Sequence, residues 1–482
     1  MLMPWRLRLD GIRRDGPIAA LLAGISALLI LAAMKKLGAS AALFIPLGVP
    51  LVLVLLANPL WMASVVVGLI VMVEGPDFGL SFGSALYSRG VVVNALVALV
   101  VLAVAIDVVR SQRRVRLPGP LALPIGLLTA SMVVGVITSH ASGTSAIKTI
   151  RSENILMYLV ALPSASGNLD LDRAQIMRAL RGWIALAIVK AVLGLAEVAG
   201  HFGAAIEGHS TLSYYEPTAN WMIMIAILMV FAAMLSGYKP PVWMMVGTPL
   251  LIGSLLLSYR RSFWIGSVLA IVLLVMLGLS PDRRRLLVPT IVVVAAAIWL
   301  AGSVHFQSQT QSLSPIIRRA ESLAPSKLAT NVEDSYRLDE RANVLATIRE
   351  HPIVGVGLFV PWSASARPLP IEHEGGRLYV HFAALWFWFK FGLFGLFAYV
   401  SLVFACAALS WRVWRTSHEP LVRGFGLASL CATAGLIVIE TTGTFTGADP
   451  RFTILLSAQL GALALLSRGL PLRGLVRSPD AR

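Results

Sequence analysis

From about residue 17 to residue 467 the chain returns repeatedly to apolar runs, many near the roughly 20 residues of helix that cross a hydrocarbon core of about 30 Å. In lipid every backbone N–H and C=O must be satisfied within the chain, which leaves only helices or a closed barrel. Strand-type alternation of period two is missing, so the runs are read as helices. Composition agrees, since 57% of the 482 residues are hydrophobic and only 13% charged, outside the balance of a soluble domain. The expected fold class is therefore an all-α polytopic membrane protein.

Hydropathy predicts about fourteen spans, at 17–34, 38–57, 59–73, 91–109, 118–138, 154–168, 182–200, 218–236, 241–257, 262–279, 286–302, 381–409, 424–441 and 453–467. The first run is longer than the apolar part of a secretory signal and is expected to stay as an uncleaved helix. Residues 1–302 then form a membrane domain of eleven helices, 303–380 a long extracytoplasmic loop subdomain, and 381–482 the last three helices with a basic tail. The formal net charge of +16 is largely a matter of topology. Arg6/Arg8/Arg13/Arg14, Arg110/Arg113/Arg114/Arg116, Arg173/Arg178/Arg181, Arg283/Arg284/Arg285, Arg412/Arg415/Arg423 and Arg468/Arg473/Arg477/Arg482 fall in alternate loops. The positive-inside rule assigns those loops and both termini to the cytoplasm, and no nucleic-acid partner is needed to account for the charge. Cys406 and Cys431 lie in apolar runs without metal or redox spacing, so buried thiols are expected.

Cations on the opposite side run against this bias. They include Lys148 and Arg151 in "SAIKTIRSEN", and Arg260 and Arg261 in "SLLLSYRRSFWIGS". Others lie within the segment 303–380, which carries eight Lys/Arg and eight Asp/Glu. An arginine at a helix end can snorkel to lipid phosphates. A pair of them at a helix junction can instead hold a bound anion, because guanidinium stays charged and bonds phosphate oxygens in a fork.

Downstream, "DSYRLDERANVLATIREHPIVGVGLF" from Asp334 to Phe359 reads as a short amphipathic helix ending in a Pro- and Gly-rich turn. In "YVHFAALWFWFKFGLFGL", His381 stands at the outer mouth of a membrane helix, with Gly392 eleven residues on and Gly395 completing a "GxxG" ending. Together with Arg337, the "HPIVGVG" turn, the "SYRRSFWIG" helix start and "YYEPTANWMIMIAIL" from Tyr214, this pattern resembles the O-antigen ligase and polymerase superfamily of bacterial membrane glycosyltransferases. The likeness runs from about Ser210 to Leu396. It departs from the family at Phe382, where an asparagine often follows the histidine, at Arg341, where an aromatic is usual, and at Lys390, where an acid is frequent.

The resemblance implies transfer of a glycan from an undecaprenyl diphosphate carrier to an acceptor hydroxyl at the periplasmic face of the bacterial inner membrane. The acceptor would be lipid A-core or a growing polysaccharide. The expected machinery needs neither cofactor nor metal, and the outer loops carry no D-x-D carboxylate cluster. Arg260, Arg261 and Arg337 would hold the diphosphate, with Arg151 as a further clamp. His381 would be the general base, since imidazole with an ordinary pKa of roughly 6.5 suits that task near neutrality. Glu216, Arg341 and His373 are candidates for acceptor-side or supporting roles, whereas His351, held extended before Pro352, reads as structural. Ligase and polymerase share the donor and stay open here, with the ligase-like assignment preferred. A lipid or polysaccharide transporter is the rival class, but the internal repeat that many transporters show is not evident between the halves.

Overall fold

The computed structural model describes residues 52, 54–72, 91–115, 119–200, 217–258, 260–279, 332–369 and 376–468. Among them the regular elements are α1 (Pro59–Met72), α2 (Val91–Arg110), α3 (Gly119–Ala141), α4 (Ala146–Ser166), α5 (Arg173–Gly200), α6 (Pro217–Leu235), α7 (Val242–Leu257), α8 (Arg261–Gly278), α9 (Val332–Glu350), α10 (Ala383–Thr416), α11 (Pro420–Ile439) and α12 (Pro450–Leu466), with one 3₁₀ turn at Gly376–Leu378. No strand occurs among the described residues. Among the described residues seven helices, α2, α3, α5, α6, α8, α10 and α11, are long and apolar enough to cross a membrane, and α1, α7, α12 and the Ile155–Ser166 part of α4 are shorter apolar segments. The described residues thus form a helical, multi-pass architecture. The expected spans at 17–34 and 286–302, most of that at 38–57, and the first part of the loop subdomain lie outside the described residues.

A helix that is apolar all round can face lipid or other helices, and α6 faces mostly other helices. Pro217–Val230, Ala232 and Ala233 are buried against α11, α5, α7, α8 and α12, while Phe231 is exposed. Its indole at Trp221 donates to Gln459 Oε1 of α12 at 3.1 Å. Small residues let the backbones close up, as is usual where lipid removes the hydrophobic drive between helices. A Cβ at Gly266 of α8 would sit 2.9 Å from the carbonyl oxygen of Gly435 on α11, and one at Gly424 of α11 would sit 2.6 Å from Ala233 Cα of α6.

The helix after His381 is interrupted. Gly392 has φ 64° and ψ −151°, which breaks α10 and leaves carbonyls of its first part without helical partners. The "HPIVGVG" turn supplies them: Val356 N–H donates to Phe389 O and Gly357 N–H to Lys390 O, each at 3.0 Å, while Leu393 N–H donates to Ile353 O at 3.0 Å. The fit leaves no room for a Cβ at Gly392, which would lie 2.0 Å from Ile353 O, or at Gly355 (φ 70°), which would lie 2.5 Å from Gly392 N. The Lys390 ammonium donates to Leu358 O at 2.9 Å and Val360 O at 3.0 Å, and the Trp388 indole donates to Pro352 O at 2.9 Å. Lysine at that departure from the family pattern therefore ties the loop to the helix, and His351 lies exposed in the turn.

α9 lies over this loop with an unusual buried stripe. Tyr336, Glu340, Asn343, Val344, Thr347 and Ile348 recur at helical spacing and are all buried, while Leu338 and Leu345 are exposed. The polar members serve the backbone of the returning loop. Asn343 Oδ1 accepts from Ala366 N at 2.9 Å and Arg367 N at 2.8 Å, its amide donates to Arg367 O at 2.9 Å, and Thr347 Oγ1 accepts from Ser363 N at 3.0 Å. Trp362, fully buried, donates its indole N–H to Tyr379 O at 3.1 Å and its main-chain N–H to Arg377 O at 3.0 Å. The backbone leading to His381 is thereby pinned.

Candidate active site

His381 is 7% exposed and immediately precedes α10. Three sets of contacts hold it. Glu340 of α9, itself 1% exposed, accepts the His381 main-chain N–H at Oε2 (2.7 Å) and lies 3.0 Å from Nδ1 through Oε1. Tyr336 and Tyr379 present T-shaped faces to the imidazole, with centroids at 5.9 and 4.9 Å. The segment that joins α11 to α12, residues 440–449, closes the third side: Ala383 N–H donates to Glu440 O at 3.0 Å, and Thr444 N–H donates to the Tyr379 hydroxyl at 2.8 Å.

The same 440–449 segment reaches the arginines. The Arg260 guanidinium carbon stands 5.9 Å from the ring centroid of Phe445, the residue after Thr444, and its charge acts on Asp449. Phe445 packs in turn on Phe263 of α8 at 6.1 Å. Arg260 is the extended residue just before α8, with φ −87° and ψ 96°, and Arg261, the first residue of the helix, is buried at 9% exposure. On α9, Arg341 donates to Thr441 O and lies 5.2 Å over the Phe382 ring. Arg337, one turn earlier, is near enough for the two charges to act on each other. Phe382 and Arg341, two of the family departures, thus form one stacked pair.

Burial dominates the electrostatics. It lowers the Arg341 pKa from the usual guanidinium value, with Glu340 opposing and Arg337 adding to the shift. The Tyr336 hydroxyl is pushed up to about 12 by burial, then by the Glu340 charge and its hydrogen bond to Glu340, and Tyr379 is raised by burial as well. Glu440 is fully buried and is raised to about 8 by desolvation, opposed by hydrogen bonding from Thr446 and Phe445. Asp449 is raised by burial against the pull of the Phe452 and Arg451 amides and of Arg260.

The structure therefore brings His381, Arg341 and Arg260 onto one connecting segment, with Arg261 beside Arg260 and Arg337 beside Arg341. Arg151 lies on α4, with its side chain outside the described residues, as are Glu216 and His373. Sequence reasoning missed Glu340, Tyr336, Tyr379 and the 440–449 segment. For Glu340 a signal existed, because it shares the helical stripe of Tyr336, Asn343 and Thr347. Among the described residues no group of three His, Cys, Asp or Glu could hold a metal ion.

Residues 246–400 match the O-antigen ligase family. The match bears out the resemblance to the O-antigen ligase and polymerase superfamily read from the motifs, and it takes in α7 from Val246, α8, α9 and α10 as far as Val400. No curated protein matches the chain. The O-antigen ligase segment supports a function of the ligase or polymerase type in a multi-pass membrane protein of polysaccharide biosynthesis, acting on glycan and lipid-linked substrates. Loop 440–449 lies beyond the matched segment and nevertheless contacts Tyr379 and Arg260.

Proposed function

We propose that this protein is an O-antigen ligase-like glycosyltransferase of the bacterial inner membrane. It moves a glycan from undecaprenyl diphosphate to a hydroxyl of an acceptor such as lipid A-core, at the periplasmic face. His381 takes the proton of the acceptor hydroxyl as its oxygen attacks the anomeric carbon. The bond from that carbon to the diphosphate oxygen breaks, and its electron pair leaves with the lipid diphosphate. Arg260, Arg261 and Arg337 hold the diphosphate and balance the charge that grows on the leaving oxygen. In a partly buried site such charges act more strongly than in water. Arg151 is a further clamp, and Glu216, Arg341 and His373 face the acceptor or support the arginines.

The observation that carries this reading is the single segment 440–449, which meets Arg260 through Phe445 and His381 through Thr444 and Tyr379. A base and a cationic grip bordered by one short loop suit a reaction that deprotonates one oxygen while releasing another. The test is transfer in proteoliposomes from undecaprenyl diphosphate-linked glycan, comparing wild type with His381→Ala at equal folded amount. Loss of about 10²-fold or more is expected on removing the base. Full transfer by His381→Ala would overturn its role. Attachment to lipid A-core supports the ligase, whereas chain extension of the donor's own repeat would make the protein a polymerase.

A further inference from the structure

One buried carboxylate of α9 has no role in the scheme above. Glu340 lies in the buried stripe of an amphipathic helix, at 1% exposure, where an apolar side chain would serve packing better. Both its oxygens are used on one residue: Oε2 accepts the His381 main-chain N–H at 2.7 Å, and Oε1 stands 3.0 Å from Nδ1. The Tyr336 hydroxyl adds a third hydrogen bond to the same carboxyl. A structural acceptor for the main-chain N–H alone would need one oxygen and no contact with the ring.

We infer that Glu340 is the positioning residue of the transfer reaction: it accepts a proton-bearing Nδ1 of His381, which makes Nε2 the basic nitrogen and holds the imidazole ring in one orientation. The inference rests on the general-base reading of His381. Neutral imidazole carries one N–H, and a carboxylate without a proton can only accept, so the nitrogen facing it is the one that bears hydrogen. When Nε2 takes the proton of the acceptor hydroxyl, the ring becomes imidazolium beside a negative carboxylate. The proton returns to solvent or to the departing diphosphate, and Glu340 ends as it began. The edge-on rings of Tyr336 and Tyr379 restrict rotation of the imidazole, so the carboxylate and the two tyrosines specify both the tautomer and the aim of Nε2. Among the described residues, Arg341 of α9 acts on Glu340 and Arg337 acts on Arg341, while Glu440 and Asp449 act on Tyr379 beside the ring.

Two measurements test this. The first needs no variant: nitrogen NMR of histidine-labelled protein in nanodiscs, with the His381 signals identified by their loss in His381→Ala. A neutral ring protonated at Nδ1 is expected, and one protonated at Nε2 would overturn the inference. The second is the pH–rate profile of transfer for Glu340→Gln and Glu340→Asp. Glu340→Gln should transfer about 10²-fold more slowly, because an amide can donate to Nδ1 and stabilise the wrong tautomer. Its acidic limb should also move to lower pH, since the imidazolium loses its counter-charge. Glu340→Asp, which keeps the charge, should recover part of the rate and the limb. A folded Glu340→Gln with wild-type rate and limb would sink the inference while leaving the transferase reading intact. Wild-type transfer by His381→Ala would instead defeat the general-base reading itself.

Discussion

Arginines cluster at both ends of this bundle, and the two clusters are built differently. At the end that charge bias assigns to the cytoplasm, Arg113 bonds Asp107 and the carbonyl of Asn168, Arg173 pairs with Glu419, and Arg468 donates to the carbonyl of Gly167. These are surface carboxylates and helix-end carbonyls, ordinary company for a cation that anchors a helix. At the other end Arg261 is buried, Arg260 faces the ring of Phe445, and Arg341 stacks on Phe382 beside His381 and Glu340. Aromatic walls keep a guanidinium oriented and partly dehydrated, which strengthens its pull on an incoming anion. The same side chain meets carboxylates and carbonyls at one end and aromatic rings at the other.

The largest expected contrast is functional. Arg260→Ala and Arg261→Ala should each lower transfer by about 10²-fold, the effect of losing one well-placed donor worth about 3 kcal/mol. Arg173→Ala should stay within about twofold, because its pair lies at the surface. Initial rates in proteoliposomes at equal folded amount decide this, and equal losses at both ends would break the comparison.

Next in size is the loop that carries the site. Gly392→Ala places a side chain at φ 64° and 2.0 Å from Ile353 O, and should destabilise the protein by about 2–3 kcal/mol. Gly253→Ala, in a helix with nothing within 4 Å of the new methyl, should be neutral or slightly stabilising. Thermal unfolding in detergent separates the two. A Gly392→Ala protein as stable as wild type would show that the helix break is not needed to seat the loop.

A pH effect follows from Glu440. Its folded-state pKa of about 8 stands above the ordinary 4.5, so the native state keeps a proton that the unfolded chain has lost. Stability from this group is full below about pH 4.5, falls as pH rises toward 8, and is flat above that. Glu440→Gln should flatten the slope in that window and make the protein relatively more stable at pH 8. An unchanged slope in thermal midpoints between pH 5 and 8 would contradict it. The smallest effect is the stability change in Arg173→Ala, expected below about 1 kcal/mol and weaker still at high salt.

Much of the site could be read from the chain because its parts are local. The "HPIVGVG" turn, the spacing from His381 to Gly392 and the adjacent Arg260 and Arg261 are short patterns whose chemistry travels with them. Glu340 was harder to see, since its partner lies 41 residues away and its neighbours in "DERAN" look like a solvated face. Leu338 is exposed and Glu340 buried, the reverse of what hydropathy alone expects. The reason is that α9 covers a polar loop backbone, whose N–H groups need oxygens and amides rather than methyl groups.

The amino-acid order already assigns this chain to lipid and sets out its helices along the sequence. Runs of apolar residues near the length of a bilayer leave the backbone one solution, and charge bias then orders the loops. Which polar groups meet is settled only by the three-dimensional packing. The break at Gly392 lets the turn at 353–357 dock on α10, and loop 440–449 returns from a later hairpin to touch both Arg260 and the surroundings of His381. Such meetings depend on backbone hydrogen bonds and packing between segments far apart in the chain, and no local periodicity encodes them.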